Sequence, residues 1–207
     1  GISKVSTELL RQFCRKGHEV AVFCLPRTAR SFEAPGGCEL IPVELDWCLY
    51  REYPVVRFSL RAFRKLAQEH RRKPFDVSHA MNFNNYGYPF WRRSLRAEGL
   101  AHVATGFETT GMEIRAKWRE WRSTPSLHCL GQIVMESYLA PWQRAYIGWA
   151  DAITTEDVET RREFMAMGLD GKNIHLIPSG VDVESLLGEV VEERTLSELK
   201  ALGSPLL

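Results

Sequence analysis

Apolar positions along this chain switch repeatedly between two spacings. Val5, Leu9, Leu10 and Phe13 share one side of a 3.6-residue repeat, which predicts an amphipathic helix over residues 3–16. Ser3 is a candidate cap at its start, and Lys16 with Gly17 supplies a basic last turn and a C-cap glycine. EVAVFC at 19–24 follows, a nearly unbroken apolar run of the kind buried on both faces of a parallel sheet. Residues 25–37, with Pro26, Pro35, Gly36 and Gly37, read as loop. CELIPVE at 38–44 reads as a strand, placed at an edge because Pro42 cannot donate to a ladder. A basic helix is predicted at about 53–72, with Val56, Leu60, Phe63 and Leu66 on one face. Short strands are predicted at 75–79, 102–105, 151–155 and 174–178. Residues 83–98 read as helical or irregular, and 106–125 as a long polar and aromatic insertion. Helices are predicted at 126–149 and 157–167, the second ending at Gly168. Trp142, Tyr146 and Trp149 on the longer one are expected in the core.

Strands alternate with helices almost throughout. That order predicts an α/β fold, a Rossmann-like doubly wound parallel sheet with helices on both faces. In such a sheet a strand precedes the first helix, and ligands bind at the carboxyl ends of the strands. Here a glycine stands before the first helix and no strand does. The chain therefore reads as cut inside the first strand-to-helix turn, with the absent strand at the centre of the sheet.

Composition narrows the class without naming a chemistry. The 207 residues are enough for one sizeable domain or two small ones, and 44% hydrophobic with 26% charged residues is ordinary for a globular protein. A net charge of +1 gives no bulk attraction to nucleic acid, so no nucleic-acid partner is expected. Five widely spaced cysteines without a CxxC pair make neither a disulfide framework nor a zinc site. Cys14 and Cys24 lie in apolar runs and read as small buried hydrophobes in a reducing compartment. There is no signal peptide and no apolar run near 18 residues, so a cytoplasmic location is expected.

The glycine turn before the first helix suits an anion, because a helix start offers free N–H groups and glycine lets a phosphate approach. It serves equally as a tight turn that binds nothing. GISK at 1–4, the helix, and RKGHEV at 15–20 resemble the opening of glycosyltransferase family 4. FDVSHA at 75–80, ADAITT at 150–155, Phe164 with Gly168, and IPSGVD at 177–182 are similar to further motifs of that family, in the same order. The tail from Arg194 through Leu207, with Leu199 and Gly203, resembles the start of a second domain. The resemblance implies the N-terminal half of a GT-B fold. Residues 1–186 would form a Rossmann-like acceptor-binding domain lacking its first strand, and 187–207 a linker and the start of a donor-binding domain. It implies sugar transfer from a nucleotide-sugar donor to a glycan or lipid-linked acceptor, with retention, no cofactor and no metal. Because the donor's nucleotide sits mainly in the other domain, this chain by itself is expected to be inactive.

By the same resemblance Gly1, Ser3 and Lys4 belong to a loop facing the donor phosphates. His79, at a strand end, either touches the acceptor or packs at the sheet edge. Asn82, Asn84 and Asn85, with Tyr86 and Tyr88, offer amides and aromatic faces to a sugar, or form a turn-rich connection. One departure stands out: the family often carries a histidine where Phe107 stands, whereas Glu108 keeps its neighbour. Glu108 is then a candidate catalytic base or acceptor clamp, with Thr109 and Thr110 as hydrogen-bond donors. The same departure fits another acceptor, lost activity, or a non-catalytic glycan- or protein-binding module. A nicotinamide-dependent enzyme is a third class, but no GxGxxG is present. Asp157 reads as a helix N-cap, and the turn holding Ser179 as structural. Two basic stretches, Arg57 to Lys73 and Arg115 to Arg122 with Trp118 and Trp121, fit an anionic membrane at its inner face, or a solvated helix surface.

Overall fold

The computed structural model describes residues 2–45, 54–82 and 85–178. Helix α1 spans Ile2–Arg15 and is closed by Gly17 at φ 83°, a left-handed conformation that glycine adopts without a Cβ penalty. Strand β1 (Val20–Cys24) pairs in parallel with β2 (Cys38–Pro42), Val20 opposite Cys38 and Cys24 opposite Pro42. Between them lies a short helix, α2 (Pro26–Ser31), where loop was expected. It buries no residue, so its sequence carries no apolar face to read. Among the described residues β2 pairs with β1 alone, in keeping with the edge position expected from Pro42.

Helix α3 (Pro54–Arg72) leads to the second sheet. That sheet contains β3 (Val77–Met81), β4 (Ala101–Thr105), β5 (Ala152–Thr155) and β6 (Ile174–Leu176), in that order and all parallel. β3 starts two residues later than expected, so His79 lies at mid-strand and not at its end. Helix α4 (Tyr88–Ala97) joins β3 to β4, and α7 (Val158–Ala166) joins β5 to β6. Between β4 and β5 run two helices, α5 (Thr110–Ser123) and α6 (Leu127–Gly148). The segment expected as an irregular insertion is thus mostly the helix α5. The expected parallel α/β sheet with helices on both faces is what the chain forms.

Two apolar clusters hold the layers together. On one, Tyr146 and Ile147 of α6 meet Ala104, Ile153, Phe164 and Ile174. On the other, Phe63, Leu66 and Ala67 of α3 meet Ala80, Leu95 and Leu100, with Phe23 and Phe75 packed against them. Tyr146 is in the core as expected. Trp142 and Trp149 are not: they are 60% and 42% exposed. α6 is apolar almost all round, so its sequence did not show which face would be buried. Among the described residues no helix is long and apolar enough to cross a membrane. The described cysteines, Cys14, Cys24, Cys38 and Cys129, are free, and Cys24 is buried while Cys14 is half-buried.

Candidate active site at the carboxyl edge of the sheet

Because every pair from β3 to β6 is parallel, the carboxyl ends of these four strands lie along one edge. Loops following β3, β4 and β5 meet there, the place where open α/β sheets take ligands. Asn82 follows β3 directly with φ 54°, the one non-glycine residue with positive φ among those described. Asparagine tolerates this left-handed region better than most side chains. Its Oδ1 is buried and has no partner among the described residues.

After β4 the chain turns through Gly106, Phe107 and Glu108 into α5. Thr109 caps α5 by accepting from the Met112 amide at 3.1 Å. Asp157 caps α7, accepting from the Thr160 amide at 2.7 Å, as its position before that helix predicted. Thr160 Oγ1 in turn donates to the Phe107 carbonyl at 3.1 Å, and Arg115 bridges to Glu163 at 2.8 Å. The first contact ties the loop after β4 to α7, and the second ties α5 to α7.

Glu108 is half-buried and faces Glu113 of α5, which also meets Glu136 of α6. Burial, then the charges of Glu136 and Glu108, push Glu113 up to about 8. Glu113 therefore holds its proton at neutral pH and is the donor within this carboxyl cluster. Sequence reasoning named Glu108 and missed the other two. The available signal was Glu136 itself, a carboxyl group in the middle of a largely apolar helix. Beneath the cluster the Tyr146 hydroxyl donates to that of Tyr86 at 3.2 Å, and burial pushes the Tyr86 phenol up to about 12.

The remaining candidates separate by burial. Nε2 of His79 lies 2.6 Å from Thr105 Oγ1, which lies 2.5 Å from Thr154 Oγ1. His79 keeps an exposed edge, yet desolvation by the surrounding fold holds it below the usual histidine range. Asn85 is fully buried: its Oδ1 accepts from His102 Nε2 at 2.6 Å and its Nδ2 donates to the Tyr146 carbonyl. With Ser78 donating to Nδ1 at 2.8 Å, the His102 ring is locked neutral, and burial drops its pKa to about 3. Thr109 and Thr110 are also fully buried; the Thr110 amide donates to Gln143 Oε1 at 2.9 Å. The structure thus places Glu108, Asn82 and His79 where solvent or a ligand reaches. It uses Asn85 and Thr109 in internal hydrogen bonds. Gly1 and Asn84 lie outside the described residues, as does the turn from Ser179 onward, and Ser3 and Lys4 fall within the first turn of α1.

A family model, Glycosyltransferase Family 4, matches residues 1–185. The chain belongs to that family. Among solved structures it is similar to one described as the glycotransferase of kitacinnamycin, at 13% identity and a TM-score of 0.48. The match covers 85% of this chain and 48% of the other, so the chain spans about half the length of that protein. No curated protein matches the sequence.

Proposed function

We propose that this chain supplies the acceptor side of a sugar transferase that moves a sugar, with retention, from a nucleotide-sugar to a glycan or lipid-linked acceptor. Family membership supports a glycosyltransferase domain. The observation that carries the acceptor reading is the position of Glu108. It follows β4 on the carboxyl edge, and its neighbour Glu113 donates a proton to the cluster. A carboxylate so placed can orient an acceptor hydroxyl and take its proton. The amides at the start of α1, with Ser3 and Lys4, are assigned to the leaving diphosphate, since a helix start favours an anion. No metal and no cofactor are assigned to the reaction.

In the protein that joins this chain to a donor-binding domain, Glu108→Gln is expected to slow transfer about 10²- to 10³-fold with an unchanged fold. Release of nucleoside diphosphate, with circular dichroism as control, reads this out. Unimpaired transfer would remove Glu108 from the chemistry. Retained glycan binding with no turnover in the unsubstituted protein would instead favour a non-catalytic module, the reading that Phe107 raises.

Peripheral contact with an anionic membrane is assigned to α5, where Arg115, Trp118, Arg119 and Arg122 line one shallow surface. Arginine beside tryptophan suits an anionic interface. Flotation with phosphatidylglycerol vesicles, and none with phosphatidylcholine vesicles, is the expected result. Equal recovery with both would count against the assignment.

A further inference from the structure

Helix α6 carries apolar side chains on both of its sides. Its inward side packs Ile133, Leu139, Tyr146 and Ile147 into the molecule. Its outward side carries Leu127, Val134, Tyr138 and Trp142, with Trp149 as the C-cap, all of them exposed. Gly131 and Ala145 lie between them, half-buried. At 3.6 residues per turn these seven positions fall along one line of the helix. No charged side chain stands on that line. The seam follows the 22 residues of α6 for about 33 Å. A domain that stays alone in solution seldom exposes so continuous an apolar patch.

The order of residues along the seam says what covers it. The steps from Leu127 to Trp149 are 4, 3, 4, 4, 3 and 4 residues, the same in both directions about Tyr138. A second α6 laid antiparallel, with a two-fold axis at Tyr138, therefore matches the first position by position. Each contact then occurs twice, as in any isologous interface. Val134 meets Trp142 of the second copy, and Leu127 meets its Trp149. The aliphatic side chains of one half thus pack on the tryptophans of the other. Gly131 meets Ala145, so the two backbones can approach closely there; the space over Gly131 is open, with nothing within 4 Å of where a Cβ would stand.

Two further observations favour this occupant. Leu127 is 89% exposed, more than any other large apolar side chain among the described residues. The two-fold brings it to a groove of about 380 Å³ beside Trp149, lined also by Pro141, Arg144, Ala145 and Gly148. The area is also sufficient. At roughly 200 Å² per large side chain, the exposed fractions along the seam and at the flanking Leu130 leave about 700 Å² per copy. A stable interface takes roughly 800 Å² from each partner. A helix that lies on a membrane instead carries lysines and arginines along its polar side, and α6 has one, Arg144.

We propose that α6 is a self-association surface, through which two copies of this chain pair antiparallel about Tyr138, each seating its Leu127 in the groove beside the other's Trp149. The pairing does not depend on sugar transfer.

Sedimentation velocity on the 207-residue chain tests it. A dimer is expected, with a Kd in the micromolar range or tighter. Tyr138→Glu sets two carboxylates against each other on the two-fold and is expected to weaken the dimer at least about thirtyfold. Trp142→Ser is expected to act in the same direction. Both side chains are exposed, so far-ultraviolet circular dichroism should not change. Register is read by mild oxidation. Val134→Cys mixed with Trp142→Cys should form a disulfide-linked pair, while either variant by itself should link no more than the unsubstituted chain does. A chain that stays monomeric up to about 100 μM, well above a micromolar Kd, would overturn the proposal. So would a dimer that keeps its affinity in both substituted chains, or single-cysteine variants that link as well as the mixture. A monomer that floats with lipid vesicles and ceases to do so as Tyr138→Glu would assign the seam to a membrane and overturn it too.

Discussion

Gly87→Ala is expected to cost about 3 kcal/mol or more of folding stability, toward the upper end of overpacking effects. A Cβ at position 87 would sit 2.4 Å from the Ser59 carbonyl oxygen and 2.9 Å from the Leu60 Cα, both backbone atoms of α3. Neither can rotate away. The Gly87 amide also donates to Ser59 Oγ at 2.8 Å, which fixes the separation of the two segments. Gly106→Ala is the natural comparison. Its Cβ would meet Phe164 Cζ at 2.4 Å, but a side-chain rim can shift where a backbone cannot. Phe164 is fully buried, so the shift is still costly. Urea unfolding of both variants should rank Gly87→Ala below Gly106→Ala and both below the unsubstituted protein. The reverse order would mean that the α3 contact is looser than the geometry states.

Glu113 sets the second large effect. Its folded pKa is raised to about 8 from an ordinary 4.5. Between those values the folded state holds a proton that the unfolded state has released. Stability from this group is therefore fully present below about pH 4.5 and is lost as pH rises through about 8. Glu113→Gln keeps a neutral hydrogen-bonding group at every pH and removes that slope. Thermal unfolding at about pH 5 and about pH 9 should show the native protein losing stability with pH and the variant losing distinctly less. The same slope in both proteins would show that another group titrates there. Glu108 and Glu136 face this carboxyl group from the β4 loop and from α6.

What the sequence disclosed depended on how each segment is buried. β1 announces itself because its five residues are apolar throughout. α1 and α3 show a clean apolar side. α5 was hidden because charged residues dominate it and Trp118 stays 41% exposed, leaving a weak apolar stripe. Its capping residue was in plain view: Thr109 precedes a run with Glu113 in the first turn. α2 buries nothing and had no pattern to offer. At the site, Glu108 was legible from its place after β4. Its partners were not, since Glu113 and Glu136 come from two helices whose packing no local spacing encodes. Asn85 shows the opposite failure. Its amide looked available to a sugar, and the fold spends it on His102 and the Tyr146 carbonyl.

The break between the two sheets also bears on how the molecule comes apart. Residues 2–42 meet the rest through Phe23, which packs on the apolar side of α3 and against Phe75, and through the Glu19–Lys73 pair; just beyond them the Arg61 guanidinium donates to the Glu44 carbonyl at 2.8 Å. Among the described residues no ladder of backbone hydrogen bonds crosses that boundary, whereas β3 to β6 are cross-linked strand by strand. Cooperativity in a folded chain follows the density of such connections. The α1–β2 portion is accordingly expected to open first, exposing its peptide bonds to proteases while the four-stranded sheet remains intact. A single melting temperature for this chain then blends two events, and all-or-none unfolding is not its natural description.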